Sequence, residues 1–412
     1  MRGTPVEERT WWSRPGLAVR GGRLSIAGRD AEALARTHGT PLYAHDLVRV
    51  EEQSTALRDA MASVGLDPVV RLALKAQREP ELLRFLRDRT PFVQLDVCSP
   101  GEIRWGREHG WTPDEISYTG TNLSEGDLDA ILDGGVHLNV DLLTQLDRVG
   151  RRAPGVSVGV RVNPRIGASF AGGRETAYTG ERPTKFGLFS EQLGDAVDTA
   201  RRHDLTIDTV HVHVGDGYLT DGLPVFDETV RRVAVMTRYL QEMGCPIREV
   251  NTGGGLGVPQ RAGDRPLQID RWATILAEHL RPLGVAVATE PGDFLVKECA
   301  IHVAEVVTLE ERDGLLFAGL DTGWNAICER FVYGALLDVV LCRDVDGDPV
   351  RPITVTGHIN EGDDVFAVDV PMPELREGDV LAAINVGSYN GSMYSVHCLR
   401  PPAATVFFSD RA

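Results

Sequence analysis

Short runs rich in valine, isoleucine and leucine recur through the first 290 residues, and stretches with helical spacing of apolar residues lie between many of them. This alternation is typical of parallel strands connected by helices. The eight apolar runs are residues 69–75, 92–96, 116–119, 136–140, 156–163, 207–213, 247–252 and 285–290. The plausible helices are residues 80–88, 124–133 (with Ser124 and Asp127 as a capping pair), 190–203, 225–243 and 270–283. Eight such units predict an α/β fold, a (β/α)8 TIM-type barrel, rather than an open doubly wound sheet.

The pattern changes after about residue 291, where strand-like runs follow one another without long helices. These runs are residues 302–308, 315–320, 336–342, 353–356, 364–368, 379–386 and 404–408. We therefore predict a barrel over residues 40–290, a mostly β C-terminal domain over residues 291–412, and an N-terminal segment over residues 1–39 that packs with the β domain.

Two shorter features qualify this division of the chain. Residues 21–27 form a short predicted strand that could pair with the β domain. Residues 167–184 are long, Gly-rich and polar, so they form either a lid or a plain insertion.

The charge balance narrows the classes of partner. The chain has 43 Lys and Arg residues against 60 Asp and Glu residues, a net charge of −17. Nucleic acids and anionic membrane surfaces both require basic residues, so neither is an expected partner.

No apolar run approaches the ~18 residues of a membrane span, and the N-terminus lacks a signal layout. The 6 scattered cysteines contain no CxxC pair, which argues against a zinc site or disulfides. We expect a cytoplasmic protein.

Lysine is scarce among the basic residues. Only Lys75, Lys185 and Lys297 are lysines, and the remaining basic residues are arginines. Any chemistry that requires a lysine amine therefore has three candidates.

The active site of a barrel of this kind lies at the C-terminal ends of its strands. The polar and glycine residues at those predicted ends are Lys75, Asp96, Asn163, His213, Gly253, Gly254, Gly255 and Glu290. Lys75 closes an apolar strand, where burial would make its amine nucleophilic, although a lysine that extends from the strand to water is the commoner case. The glycine triplet could expose amide groups to a phosphate, or it could only allow close packing.

Two further side chains allow more than one interpretation. His211 and His213 share a strand face, so they could form a metal pair, but few other ligands converge there and we expect no metal. Glu290 is either an ordinary capping acid or a partner for a cationic ligand nitrogen. An amine, a phosphate cradle, a flat side chain for stacking and a carboxylate together describe a site for pyridoxal 5'-phosphate.

With these residues in place, the sequence resembles the fold-type III pyridoxal-phosphate family, which contains diaminopimelate and ornithine decarboxylases. The resemblance runs from TPLYAHDL at 40–47 to RPPA at 400–403. The matching strings include ALKAQ around Lys75, LDVCSPGEI, RVNP, TKFGL, HVGDG, GGGLG, EPG, YGA, EGDD, REGDVL and GSYNGSM. It implies the two-domain architecture of alanine racemase and these decarboxylases, and an amino-acid decarboxylase acting on a small amino-acid-like substrate.

The resemblance also implies a role for each matching residue. Lys75 is similar to the lysine that forms a Schiff base with the cofactor, and His213 to the residue stacked on its ring. Glu290 is similar to the acid that keeps the ring nitrogen protonated, and the glycine triplet with Tyr389 to the phosphate binders. In the family a loop matching residues 360–364 completes the site across a dimer interface, so a homodimer with shared active sites is implied.

The chain departs from the family pattern in that loop. The family has a cysteine there, the expected proton donor, whereas GHINEGDD places Asn360, which does not titrate near neutrality. Asn360 and the adjacent Glu361 remain the predicted catalytic residues of the loop. Either the proton comes from Cys398, His397, His358 or a water molecule, or its fate differs from that in the family.

Three other departures each introduce an acid. Asp293 replaces the arginine of EPGR, Asp216 replaces the serine of HVGS, and Glu329 replaces the arginine with which diaminopimelate decarboxylases bind a distal carboxylate. Two carboxylates beside a phosphate would repel it, so at least one points elsewhere. We hypothesise a substrate that carries a distal amine or guanidine and is not diaminopimelate. The predicted substrate-binding residues are Asp293, Glu329, Tyr333 and Asp364.

Three other functions remain open from the sequence. An amino-acid racemase would share the barrel, but it needs a tyrosine base opposite the lysine. A non-catalytic relative that binds pyridoxal phosphate is suggested by Asn360, and disfavoured by the presence of Lys75, His213 and Glu290. A metal-dependent hydrolase would use the histidine pair.

Overall fold

A computed structural model describes residues 9–169 and 184–412 of the chain. Eight parallel strands close into a barrel, each pairing with two neighbours. They are Pro68–Ala73, Val93–Val97, Ile116–Thr119, His137–Val140, Ser157–Arg161, Thr206–His211, Glu249–Asn251 and Ala286–Thr289. The predicted eight-stranded barrel is therefore confirmed, with strand ends that differ from the predicted ones by a few residues.

Helices surround the barrel and bury apolar faces against its strands. The helices of this layer are Leu47–Ser63, Pro80–Arg89, Pro100–Glu108, Glu125–Gly134, Leu143–Arg152, Leu193–Arg202, Leu223–Glu242 and Ile269–Leu280. The predicted capping pair forms, since the Asp127 amide donates to Ser124 Oγ at 3.1 Å and the Ser124 amide donates to Asp127 Oδ2 at 2.9 Å. These reciprocal bonds satisfy amides that the helix itself leaves unpaired.

The second domain is a mostly β unit, as predicted. Its strands are Leu42–Asp46, Ala300–Arg312, Leu315–Leu320, Val339–Leu341, Arg351–Thr356, Val365–Met372, Val380–Ile384 and Ala404–Phe408. A short helix, Glu329–Tyr333, lies between two of them and reaches the barrel opening.

One strand of this sheet comes from a part of the chain that the sequence assigns to the barrel. Leu42–Asp46 pairs antiparallel with Ala300–Arg312 and parallel with Ala404–Phe408. The predicted barrel boundary at residue 40 therefore needs correction, because the barrel layer begins with the helix that starts at Leu47. The strand is buried along its whole length, so its composition resembles that of a barrel strand.

The segment before this strand contacts the β domain. Leu17–Arg20, Arg23–Ile26 and Arg29–Asp30 form a small sheet. The Leu24 amide donates to Cys342 O, and the Val345 amide donates to Gly22 O, both at 2.8 Å. These bonds join the short strand predicted at residues 21–27 to the sheet of the second domain.

Most of the predicted lid or insertion at 167–184 lies outside the described residues. At its start, Ala168–Ser169 pairs in parallel with Gly215–Asp216. No helix within the described ranges is long and apolar enough to cross a membrane.

Leu72 tests the packing between the barrel strands and the helical layer. Its side chain is fully buried in the main core, so Leu72→Ala should lower the free energy of unfolding by about 2–5 kcal/mol. Leu315→Ala removes the same atoms from a side chain that is 51% exposed, so it should change the free energy of unfolding by about 0.5 kcal/mol or less. Denaturant unfolding of both variants measures the difference, and equal losses would contradict this packing.

Candidate active site

A cavity of about 360 Å³ lies at the C-terminal ends of the barrel strands, beneath the short helix of the β domain. It brings together most of the residues that the sequence singles out. The predicted residues in its lining are Lys75, Asp96, His213, Gly254, Gly255, Glu290, Asp293, Glu329, Tyr333 and Tyr389. The sequence-based choice of strand ends therefore leads to one site, shared between the two domains.

Lys75 lies in a turn two residues after the end of the first barrel strand, and its side chain is exposed to the cavity. The next residue anchors this turn. Ala76 O accepts hydrogen bonds from the Tyr389 amide at 2.9 Å and from Ser392 Oγ at 3.0 Å. The β domain thus holds the turn that presents the lysine amine.

Glu290 is a buried carboxylate that remains ionised. His211 Nε2 donates to one oxygen at 3.0 Å, and Asn251 Nδ2 donates to the other at 2.5 Å. Burial alone would raise the pKa of Glu290, but the charge and hydrogen bond of His211, the charge of Arg71 and the Asn251 amide outweigh it and lower the pKa to about 2. A fixed negative charge at this depth matches a protonated ring nitrogen.

The pairing of His211 with Glu290 also bears on the metal-dependent alternative. His211 Nε2 is hydrogen-bonded to the carboxylate, and both residues are buried. His211 and His213 both line the cavity. One ring nitrogen of His211 is thus already used by Glu290, which makes His211 less suited to a metal site shared with His213.

Asp96 interacts with the charge of Glu290, and its pKa shifts in the opposite direction. Burial, and then the charge of Glu290, raise the pKa of Asp96 well above its usual value. Asp96 Oδ1 is buried and has no hydrogen-bond partner among the described residues. Because a buried polar atom is normally paired, this atom indicates that a ligand belongs in the cavity.

His213 presents a neutral imidazole to the cavity. Burial, and then the charges of Arg161 and Lys75, lower the pKa of His213 well below its usual value. A neutral, flat ring can stack on an aromatic ligand without bringing a positive charge close to a protonated ring nitrogen.

Two residues of the glycine triplet, Gly254 and Gly255, line the cavity, whereas Gly253 lies outside its lining. A Cβ atom on Gly254 would lie 2.4 Å from Glu290 O, and one on Gly255 would lie 2.3 Å from Gly215 O. Gly255 also has φ +91°, a conformation that L side chains rarely adopt. Close packing thus explains the absence of side chains, while Gly254 and Gly255 also line the cavity, where their backbone can approach a phosphate.

One wall of the cavity carries three carboxylates, from Asp216, Asp293 and Glu329. Asp293 Oδ1 accepts a hydrogen bond from Ser388 Oγ at 2.6 Å. Burial is the main reason that the pKa of Glu329 rises to about 7. The predicted acids at 216, 293 and 329 are therefore all present at the site.

Sequence reasoning missed two cations at this site. Lys297 lies behind the acidic wall and forms an ion pair with Glu329. Its only sequence signal is its place one helical turn after Asp293. Arg161 lines the cavity with its guanidinium 4.3 Å above the centre of the Phe186 ring, and it belongs to the RVNP string without having been assigned a role.

Several predicted residues lie outside the lining of the cavity within the described chain. Asn360 and Glu361 are exposed, and Glu361 Oε1 lies 3.1 Å from His397 Nε2. Asp364 is buried and accepts hydrogen bonds from the amides of Trp324 at 2.8 Å and Ile359 at 2.7 Å. Asp364 therefore stabilises its own loop and does not face the cavity of its own chain, in contrast to the predicted substrate contact.

The lining fits pyridoxal 5'-phosphate. Lys75 supplies an amine, His213 a flat neutral ring, and Glu290 a fixed negative charge. Gly254 and Gly255 allow a close approach of the backbone, and the unpaired oxygen of Asp96 faces the same cavity.

Comparison with known proteins gives consistent results. Residues 47–297 match the family model of the pyridoxal-dependent decarboxylases, pyridoxal binding domain. Diaminopimelate decarboxylase from Methanothermobacter thermautotrophicus is 33% identical over 393 residues, covering 93% of this chain and 90% of that protein. The enzyme of the same name from Streptomyces coelicolor is 31% identical over 398 residues, covering 92% and 86%.

Solved structures agree with the sequence relatives. The crystal structure of diaminopimelate decarboxylase from Helicobacter pylori complexed with L-lysine has a TM-score of 0.83 at 25% identity, covering 92% of this chain and 93% of that chain. The similarity thus includes both the barrel and the β domain. The chain belongs to the fold-type III family of pyridoxal-phosphate-dependent decarboxylases, whose members are carboxy-lyases.

Proposed function

We propose that the protein decarboxylates an α-amino acid whose side chain ends in an amine or a guanidine. The observation that carries this proposal is the acidic wall of Asp216, Asp293 and Glu329. Opposite charges attract across a few ångströms most strongly where water is excluded, so a cationic side chain would gain energy against this wall.

The relatives named above are diaminopimelate decarboxylases, and the second carboxylate of diaminopimelate would meet the same wall. Like charges at close range repel, and a carboxylate deprived of water and of a cationic partner is costly to bury. Lys297 lies behind the wall and is paired with its acids. We therefore propose a different substrate for this chain.

Each of the following cavity residues has its own proposed role in catalysis. When bound, pyridoxal phosphate supplies an aromatic ring that can accept the electron pair left by the departing CO2. Lys75 would hold the cofactor covalently, His213 would stack on its ring, and Gly254 and Gly255 would let the backbone approach its phosphate. Glu290 keeps a proton on the ring nitrogen, because its charge is fixed by His211 and Asn251.

We further propose a homodimer in which the loop at 360–364 reaches the cavity of the partner. Asn360 and Glu361 are exposed and lie outside the cavity of their own chain. Exposed apolar side chains occur in the neighbouring segment, with Val396 69% and Leu399 90% exposed. Apolar side chains exposed beside such a loop support an interface there.

A substrate screen tests the proposed substrate class. Holoenzyme incubated with lysine, ornithine or arginine of either hand should release CO2 faster than with diaminopimelate, because only the former bring a cation to the acidic wall without a carboxylate beside it. Measured CO2 release would contradict the proposal if diaminopimelate were turned over much faster than every cationic amino acid.

Glu290→Gln tests the role of the buried charge. An amide of the same shape carries no negative charge, so the rate of decarboxylation should fall by about 100- to 1000-fold. Glu51→Gln, on the outer helix, removes a charge far from the cavity and serves as the control. A Glu290→Gln enzyme with a rate close to that of the control would show that the charge is not used.

Subunit mixing tests the shared site. Lys75→Ala and the double variant Asn360→Ala/Glu361→Ala should each be impaired as homodimers, whereas a mixed dimer would contain one intact site. If equal amounts exchange subunits, activity should recover to about a quarter of the wild-type value. Recovery no greater than the sum of the two separate activities would argue that each chain completes its own site.

A further inference from the structure

Lys297 is the buried cation of the acidic wall, and the functions assigned above do not use it. Its side chain is 2% exposed and does not line the cavity. The Gly387 amide donates to Lys297 O at 3.0 Å, which ties the lysine to the loop that also carries Ser388 and Asn390. An unpaired ammonium is almost never buried so completely, so its partners define its role.

Those partners are the acids that face the cavity. Lys297 Nζ is paired with Glu329 Oε1 and lies 3.8 Å from Asp293 Oδ1, and the charge of Asp216 also acts on it. Burial would lower the pKa of Lys297, but these carboxylates raise it, so the lysine stays charged. Lys297 thus interacts with all three carboxylates of the acidic wall.

Glu329 is the member of this group that changes its charge near neutrality. Burial raises its pKa to about 7, Lys297 lowers it and Asp293 raises it. The other titratable groups close to it are neutral there, because the pKa of Tyr43 lies well above its usual value and that of Cys328 is raised to about 11.

The remaining neighbours of Glu329 are polar or point away. The adjacent Arg330 donates toward Val365 O at 3.4 Å. Asn390 Nδ2 lies 3.5 Å from Glu329 Oε2, and Asn390 Oδ1 accepts from the Glu329 amide at 3.1 Å. The charge state of Glu329 therefore depends on Lys297, on the neighbouring acids and on what enters the cavity.

We propose that Lys297 is a positioning residue that keeps Glu329 available as the binding carboxylate for a distal cation, and that binding of this cation is coupled to the release of one proton from Glu329. The inference rests on the proposed function for its substrate class. No bond to carbon changes in this step: the O–H proton of the Glu329 carboxyl passes to solvent, and the ligand cation takes its place beside the oxygen.

A comparison of two amines distinguishes the effect of the distal cation from that of the rest of the ligand. Cadaverine and pentylamine have the same five-carbon chain and one amine in common, and only cadaverine carries the second. Titration calorimetry of the holoenzyme between about pH 6 and pH 8, in buffers with different ionisation enthalpies, counts the protons released. We expect cadaverine to release up to one proton more than pentylamine, with the difference fading above about pH 8.

Variants of the pair test the role of each member. Glu329→Gln should abolish the extra proton and weaken cadaverine binding by about tenfold or more, because a charge-assisted hydrogen bond is lost. Lys297→Met should raise the pKa of Glu329, so the extra proton should appear at higher pH and binding should weaken at pH 7 but recover at higher pH. Lys297→Arg, which retains the charge, should restore wild-type behaviour at least in part.

Arg343→Met is the matched control for removing a cation from a carboxylate pair. Arg343 binds Asp379 through hydrogen bonds of 2.6 and 2.8 Å in the β domain, and neither residue lines the cavity. Its cadaverine binding and proton release should match those of the wild type.

The inference is overturned if cadaverine and pentylamine release the same number of protons, or if Glu329→Gln leaves the difference intact. It is also overturned if Lys297→Met shows the same pH profile as the wild type. If Lys297→Met does not fold, Lys297→Arg and Glu329→Gln still test whether cation binding is coupled to proton release. Failure of the proposed substrate class would appear separately in the CO2 screen, because amine binding and proton release require no turnover.

Discussion

A carboxylate buried at the centre of a barrel must be paired, and the pairing of Glu290 governs the arrangement of the whole site. His211 and Asn251, from two neighbouring strands, donate to its two oxygens, and the charge of Arg71 supports it from within the barrel. Since the strands of a closed barrel hold their register tightly, these donors are fixed before any ligand binds. The negative charge that would pair with a protonated ring nitrogen is thus built into the fold.

The second constraint is that the site needs both domains. The turn that carries Lys75 is held by backbone and hydroxyl groups of the segment around Tyr389 and Ser392. The acidic wall likewise joins Asp293, which follows the last barrel strand, to Glu329 on the short helix of the β domain. A change in the packing of the domains would therefore alter both the position of the Lys75 amine and the arrangement of the acidic wall.

Local patterns in the sequence predict the features that depend on strand ends. The barrel, Lys75, His213 and Glu290 follow from apolar runs and from the rule that parallel strands end at one face. The strand Leu42–Asp46 could not be assigned to the second sheet in this way, because its partners lie more than 250 residues away in sequence. Its apolar composition fits a barrel strand equally well.

Lys297 and Asp364 show the same limit for side chains. The position of Lys297 beyond the barrel gives no sign that it is buried against Glu329, since that pairing arises only when the two domains pack. From the sequence, Asp364 is expected to be a loop acid that can contact a ligand. In the structure its carboxylate accepts hydrogen bonds from the backbone amides of Trp324 and Ile359. Local sequence identifies the chemistry of a residue, while its partners depend on long-range packing.

The central claim is that the cavity holds pyridoxal phosphate on Lys75. Holoenzyme reduced with borohydride, digested and analysed by mass spectrometry tests it directly, because reduction makes the link between lysine and cofactor permanent. The chain contains three lysines, Lys75, Lys185 and Lys297, so the assignment is unambiguous. We predict that the cofactor mass lies on the Lys75 peptide alone, and its presence on Lys185 or Lys297, or on no peptide, would contradict the account.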